Sequence, residues 1–310
     1  RYPPPQPAPL RSRLAELYAV DESLLLITRG SDEGIDLLTR VFCRPGQDAI
    51  GECSACFGMY RIAATIQGAR VIDVARQADD GFRIDFDKME QVIDEQPDIR
   101  LVLLTSPNNP SGDLVGQTEL ELVLKACEGK ALVVLDEAYI EFCDAASAIG
   151  LIGRYPHLVV LRTLSKAWAA AGVRCGVVIA NPEVIGLLKR VIPPYPLATM
   201  AIDTALRAIS GDAVSRQQQF VDKVRKQKAD LLGFLQNCDW VREVIPGEAN
   251  FILLRVPDAD ALVAWCAGRG IRIRNFTSQA QLEGCVRLTI GSTDEMAELK
   301  LALQAYGEKA

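Results

Sequence analysis

A lysine and an aspartate thirty residues apart each close an apolar run in this sequence. The run Leu161-Arg162-Thr163-Leu164-Ser165-Lys166-Ala167-Trp168 sets two hydroxyls just ahead of Lys166. A lysine at the end of a buried strand is partly desolvated, which favours the neutral amine that can attack an aldehyde. An exposed lysine opening a loop would leave the same local pattern. Arg174 follows eight residues later, past Gly172, where its guanidinium could join the Thr163 and Ser165 hydroxyls around one phosphate.

The second run, Leu132-Val133-Val134-Leu135-Asp136-Glu137-Ala138-Tyr139, delivers Asp136 to the carboxyl end of a strand, where open α/β sheets bind their ligands. A carboxylate there could keep a pyridine nitrogen protonated and so make the ring an electron sink. Tyr139 could bond the phenolic oxygen of such a ring. The rival reading, an aspartate on Mg²⁺, needs a Gly-x-x-x-x-Gly-Lys-Ser/Thr loop that this sequence does not contain.

Two turns complete the set. Ser106-Pro107-Asn108-Asn109-Pro110-Ser111-Gly112 reads equally as a plain turn or as a loop whose Asn109 amide donates to the same phenolic oxygen. Arg29-Gly30-Ser31-Asp32-Glu33 has the form of a strand-to-helix turn. It is either a helix capped by Ser31 or a phosphate site at a helix N-terminus, and the two readings are compatible.

Positioning these groups takes a large framework. Strands are predicted over 24–28, 48–52, 70–74, 101–105, 132–136, 158–162 and 175–180, alternating with helices over 9–18, 31–42, 57–67, 85–95, 117–127 and 182–191. That alternation is the pattern of an α/β protein with a seven-stranded, mostly parallel sheet flanked by helices. A Pro193-Pro194-Tyr195-Pro196 cluster then breaks the pattern, and a long helix over 214–237 follows. Strands over 251–256, 271–274 and 285–290, with helices over 258–269 and 294–306, form a compact α+β unit. The expected division is a large domain over 1–200 and a small C-terminal domain over 201–310.

Composition narrows the function classes. At 310 residues the chain exceeds a single core, and 49% hydrophobic residues allow a sizeable one. A net charge of -6 gives no general attraction to nucleic acid or anionic lipid, which leaves small molecules as the expected partners. The longest apolar stretches, such as 131–135 with its neighbours, are far too short for a membrane helix. Nine cysteines, an odd number, argue for reduced thiols in the cytoplasm rather than a disulfide framework. Cys53 and Cys56 form the one close pair, but no second pair follows and the single His157 has no ligand-like spacing to it, so no metal site is expected. One histidine, at a strand entry, also argues against a Ser-His-Asp hydrolase.

The order of the phosphate turn, the Asn-Pro turn, the strand-end aspartate and Ser-Lys resembles the fold-type I pyridoxal-phosphate (PLP) enzymes over essentially the whole chain. It resembles the aspartate-aminotransferase-like group more narrowly. Closer still, Ser106-Pro107-Asn108-Asn109-Pro110, Asp136-Glu137-Ala138-Tyr139-Ile140-Glu141-Phe142, Arg162-Thr163-Leu164-Ser165-Lys166, Arg174-Cys175-Gly176 and Val286-Arg287-Leu288-Thr289-Ile290-Gly291 are similar to the histidinol-phosphate aminotransferases. So are Arg1-Tyr2-Pro3, Gly30-Ser31-Asp32-Glu33-Gly34 and Phe57-Gly58-Met59-Tyr60.

The resemblance implies pyridoxal phosphate as cofactor and amino transfer between an amino donor and a 2-oxo acid, with L-histidinol phosphate and 2-oxoglutarate as the expected pair. It makes Lys166 the lysine that bonds the cofactor aldehyde and shuttles the proton, Asp136 the pyridinium partner, and Asn109 and Tyr139 the donors to the phenolic oxygen. Ser31, Asp32, Thr163, Ser165 and Arg174 would surround the phosphate, joined by Tyr2 of a neighbouring subunit in a homodimer with shared sites. Arg287 would bind the carboxylate of an amino-acid donor, and Tyr2 would also contact substrate. Two departures stand out. Ser54-Ala55-Cys56-Phe57 replaces the family's Pro-Pro-Thr-Tyr, so the ring stacked on the cofactor would be Phe57, without a hydroxyl. Family members also carry an N-terminal arm and helix ahead of the Arg-Tyr-Pro segment, and the sequence starts at Arg1 without an initiator Met or signal-peptide pattern, so a segment is expected upstream. The same fold also serves decarboxylases of amino-acid phosphates and aromatic amino-acid aminotransferases. A PLP-binding regulatory module would carry a fused DNA-binding domain, which this acidic sequence does not show.

Overall fold

The structure, a computed structural model, describes residues 1–309. Seven strands build its larger sheet: β1 (Leu25–Thr28), β2 (Ala49–Glu52), β3 (Arg70–Asp73), β4 (Ile99–Thr105), β5 (Leu132–Asp136), β6 (Leu158–Thr163) and β7 (Gly176–Ala180). Their order is β1-β7-β6-β5-β4-β2-β3. All neighbours from β3 to β6 are parallel, whereas β7 runs antiparallel to both β6 and β1.

The central strands are buried along nearly their whole length because helices cover both faces, which is why they read as unbroken apolar runs. Alternate residues of β5 point to opposite sides. Val133 and Leu135 pack with α1 (Ala8–Tyr18), α4 (Phe86–Glu95), α5 (Gln117–Cys127) and α7 (Thr199–Ile209), while Val134 packs with α2 (Gly30–Phe42), α3 (Met59–Gln67) and α6 (Pro182–Leu188). A second core lies between α8 (Ala213–Leu235), α9 (Ala259–Ala267) and α10 (Thr293–Gly307) and an antiparallel sheet. That sheet comprises β8 (Glu243–Ile245), β9 (Phe251–Arg255), β10 (Arg274–Asn275) and β11 (Cys285–Thr289), in the order β10-β11-β9-β8.

Strand positions agree with the periodicity to within a residue or two, with informative exceptions. The proline cluster is followed directly by α7, which the sequence reading left without an element; Ile202, Ala205 and Ile209 share one face and join the core beside the larger sheet. β8 is too short for its alternation to be legible. The strand expected over 271–274 shrinks to Arg274–Asn275, since only those residues pair, with Arg287 and Val286. Ser31 is not the cap of α2. Gly30, at φ +75°, starts the helix and Arg29 takes the cap position with no side-chain cap, while Glu33 reaches back to accept from the Arg29 N–H at 2.7 Å.

The two sheets meet where the Asn-Pro loop touches the β8–β9 connection. Glu248 N donates to Gly112 O at 2.7 Å, and a Cβ on Gly112 would stand 2.7 Å from Gly247 Cα. Gly112→Ala is therefore predicted to destabilise the protein by about 1–3 kcal/mol through overpacking, beyond the penalty of its positive φ. Gly46→Ala, at a similar φ but with nothing within 4 Å of its Cβ, supplies the reference. Chemical denaturation of both variants gives the comparison, and equal losses would refute the close-packing argument.

Candidate active site

The carboxyl ends of β4, β5 and β6 open into a cavity of about 570 Å³, walled on its far side by β10 and β11. Lys166, Asp136, Tyr139, Asn109, Ser31, Asp32, Phe57, Thr163, Ser165, Arg174 and Arg287 all line it. Residues up to 257 apart in sequence (30 to 287) thus converge on one space. Tyr2 does not reach this cavity in its own chain: it is 81% exposed and stacks on Tyr195 with ring centroids 4.7 Å apart.

One end of the cavity is built for an anion. The first turn of α2 points its N-terminus there without a side-chain cap, leaving the positive end of the helix for a ligand. Arg174, in the left-handed region at φ 54°, reaches across to Asp32 at 2.8 Å. Thr163 donates to Ser165 Oγ at 2.9 Å. Gly176 lets the backbone close up: a Cβ there would lie 2.6 Å from Gly30 C and 2.8 Å from Ser31 N. The Arg174 guanidinium lies against this cradle, 3.0 Å from where a Cβ on Gly30 would stand.

The other end holds Asp136, 2% exposed at the tip of β5. Its Oδ1 accepts from Ala138 N at 3.1 Å and its Oδ2 from Tyr60 Oη at 3.1 Å, and it makes no ion pair among the described residues. Burial raises its pKa from 3.8 to about 6 despite the bond from Tyr60. Each oxygen keeps a lone pair for a further donor. Between the two ends lie Lys166, whose Nζ sits 5.3 Å from the centre of the Tyr139 ring, and Phe57, edge-on to Tyr60 at 5.8 Å.

On the far wall, Arg274 and Arg287 stand directly opposite one another in the β10–β11 pairing and both face the cavity. Arg287 Nη1 donates to Asn109 Oδ1 at 2.5 Å and its guanidinium lies 4.7 Å from the centre of the Phe251 ring. Burial lowers the Arg287 pKa, and the charge of Arg274 adds to that. Behind Asp136, Glu137 is buried and held by Ser147 at 2.6 Å, Ala148 N at 2.7 Å and Arg162 at 3.3 Å. Arg162 also bonds Glu141 at 2.7 Å. These charges brace the strand ends from the opposite face.

Sequence reading missed Tyr60, Thr105, Arg274, Phe276 and Gln279. Tyr60 stood inside the Phe57-Gly58-Met59-Tyr60 segment, and Thr105 ends a strand in register with Asp136, so both carried a signal. Arg274 gave none beyond its place in a short predicted strand.

The donor set fits pyridoxal phosphate. A buried carboxylate without an ion pair among the described residues suits a pyridinium N–H, the uncapped helix start with its glycine cradle suits a phosphate, and Lys166 in the same cavity suits an aldehyde. Residues 1–303 match the family described as aminotransferase class I and II. The chain is 41% identical over 305 residues to a histidinol-phosphate aminotransferase from Pectobacterium atrosepticum, covering 98% of this chain and 84% of that protein. It is 40% identical over 304 residues to one from Cronobacter sakazakii, covering 98% and 83%. Among solved structures, the histidinol-phosphate aminotransferase of Clostridium acetobutylicum superposes with a TM-score of 0.91 at 23% identity, covering 100% of this chain and 91% of that one. That of Sinorhizobium meliloti, in complex with pyridoxal-5′-phosphate, gives 0.90 at 22%, covering 100% and 83%.

Burial of Asp136 has a measurable consequence in the cofactor-free protein. Its folded pKa lies above the unfolded value, so the folded state holds the proton more tightly. The charged carboxylate therefore opposes folding by about 3 kcal/mol above pH 6, and the opposition fades as pH falls to about 4. Asp136→Asn is predicted to stabilise the cofactor-free protein by about 1–3 kcal/mol at pH 7.5 and by almost nothing near pH 4. Urea unfolding at the two pH values decides it; a gain that persists at the lower pH would contradict the account.

Proposed function

The chain belongs to the class I and II aminotransferases, and from that premise we propose that it transfers the amino group of L-histidinol phosphate to 2-oxoglutarate, giving imidazole acetol phosphate and L-glutamate in histidine biosynthesis. It is a PLP-dependent aminotransferase. Bound in the cavity, pyridoxal phosphate supplies an aldehyde that takes up the amino group and a ring that withdraws electrons from the substrate's Cα.

The residues divide that work by position. Lys166 Nζ, the amine in the cavity, would bond the aldehyde and is the group that would take the proton from Cα and return it. Asp136 would accept the ring N–H and keep it in place. The side-chain oxygen of Asn109 is occupied by Arg287, which leaves its amide hydrogens, with the Tyr139 hydroxyl, for the phenolic oxygen. Ser31, Thr163, Ser165 and Arg174, with the backbone N–H of Asp32, would hold the cofactor phosphate, and Phe57 would offer apolar contact to the ring.

The observation that carries the substrate assignment is the pair Arg274 and Arg287. Two like charges opposite each other repel until an anion with several oxygens sits between them, and a phosphate or a carboxylate meets two guanidinium forks well. Both halves of the reaction bring such a group: the phosphate of the donor and the carboxylates of 2-oxoglutarate. Tyr2, exposed in its own chain, is assigned to the cofactor phosphate of a second copy, which makes the working form a homodimer with shared sites. A large unit that runs past the expected residue 200 to the end of α7, because Ile202, Ala205 and Ile209 pack on the larger sheet, and a small unit from α8 onward, acting in the cytoplasm, complete the reading.

A panel of amino donors with 2-oxoglutarate tests it. Histidinol phosphate is predicted to give the highest kcat/KM, and Arg274→Ala to lower that value about tenfold to a hundredfold with an unchanged Tm. Release of CO₂ without glutamate formation, or a phenylalanine preference, would overturn the assignment.

A further inference from the structure

Tyr60 is fully buried on α3, and its hydroxyl is bonded on two sides: 2.7 Å from Thr105 Oγ1 and 3.1 Å from Asp136 Oδ2. Thr105 and Asp136 are paired neighbours at the ends of β4 and β5, so one tyrosine spans two adjacent strand tips. An ionised carboxylate has no proton to give and can only accept. With Asp136 charged, Tyr60 must donate to it, and the Tyr60 oxygen is then free to accept from the Thr105 hydroxyl. A protonated Asp136 could donate instead and reverse the chain. The direction Thr105 to Tyr60 to Asp136 therefore goes with the charged state.

We propose that Tyr60, oriented by Thr105, is a positioning residue for Asp136: it fixes the rotation of the carboxylate and holds it in the acceptor state that the cofactor's ring nitrogen requires. This rests on reading Asp136 as the ring partner and is independent of which amino donor is used. Other groups act on the same carboxylate. Lys166, from the turn after β6, favours its charge, as does the Ala138 N–H, while Asp32 on α2 opposes it and is itself paired with Arg174. Cys56 lies close to Tyr60, and burial pushes that thiol well above its ordinary pKa, so it adds no charge near neutrality. Burial likewise keeps the Tyr60 phenol protonated, which makes it a permanent donor across the working range. Tyr60 alone among these neighbours combines a neutral donor, complete burial and a second strand tip to brace against.

The test uses the holoenzyme and three substitutions: Tyr60→Phe, Thr105→Val and Asp136→Asn. The dissociation constant for pyridoxal phosphate is measured by cofactor fluorescence from pH 5 to 9. Tyr60→Phe is expected to weaken binding about tenfold at neutral pH. It should also move the acid midpoint of the affinity profile upward, by about one pH unit. Thr105→Val should shift the midpoint the same way by less. Asp136→Asn should abolish the acid limb, and adding Tyr60→Phe to it should change nothing further. A wild-type profile for Tyr60→Phe, or an equal loss in the Asp136→Asn background, would overturn the proposal, since the tyrosine would then act only through packing. If Tyr60→Phe does not fold, an unmoved midpoint for Thr105→Val overturns it instead. A wild-type affinity and profile for Asp136→Asn itself would overturn the underlying assignment of Asp136, an outcome distinct from failure of the relay.

Discussion

A carboxylate at the tip of an apolar strand is costly to bury, by several kcal/mol, unless a positive group meets it. Asp136 is in that position: nearly inaccessible, without an ion pair among the described residues, and raised to a pKa of about 6. The four residues before it on β5 are apolar because the strand is covered on both faces, so the sheet that supports the site also creates the penalty. A pyridinium N–H removes that penalty only when the ring is bound. Cofactor affinity and a destabilised empty site are thus two sides of one arrangement.

The remaining parts of the site follow from where the sheet ends. With β4, β5 and β6 parallel, Thr105 and Asp136 end side by side, Thr163 stands two residues past Asp136's partner Leu161, and the loops after them deliver Asn109, Tyr139 and Lys166 to one space. The antiparallel β7 returns Gly176 against Gly30, which brings the start of α2 within reach of Arg174. The smaller sheet closes the far wall through β10 and β11. Its contact with the Asn-Pro loop, at Gly112 and Gly247, and the bond from Arg287 to Asn109 tie the substrate-facing wall to the cofactor-facing one.

Much of this was legible in the sequence, and the reasons are physical. Strands buried on both faces are continuous apolar runs, so β4, β5, β6 and β7 stood out, and with them the polar residues at their ends. What could not be read was whatever depends on two distant segments meeting. Ser31 looked like a helix cap because capping is a local pattern, yet Gly30 begins the helix so that the backbone can approach Gly176. Tyr60 stood in the Phe57-Gly58-Met59-Tyr60 segment without a role of its own and proves to be a hydrogen-bond donor to a residue seventy-six positions away. Arg274 lies in a two-residue strand with no periodicity to mark it. Helix α7 follows a proline cluster that interrupts the periodicity, so its apolar face carries no signal in the pattern on either side.

The proposed activity rests on one cavity, lined by Lys166, the Asp136 carboxylate and the phosphate-facing start of α2, holding pyridoxal phosphate through its aldehyde. Borohydride fixation of the cofactor to the purified protein, followed by proteolysis and peptide mass spectrometry, tests it most directly. A single cofactor-bearing peptide, containing Lys166, is expected. Fixation at a lysine outside the cavity, for example Lys228 on α8, with the Lys166 peptide unmodified, would contradict it.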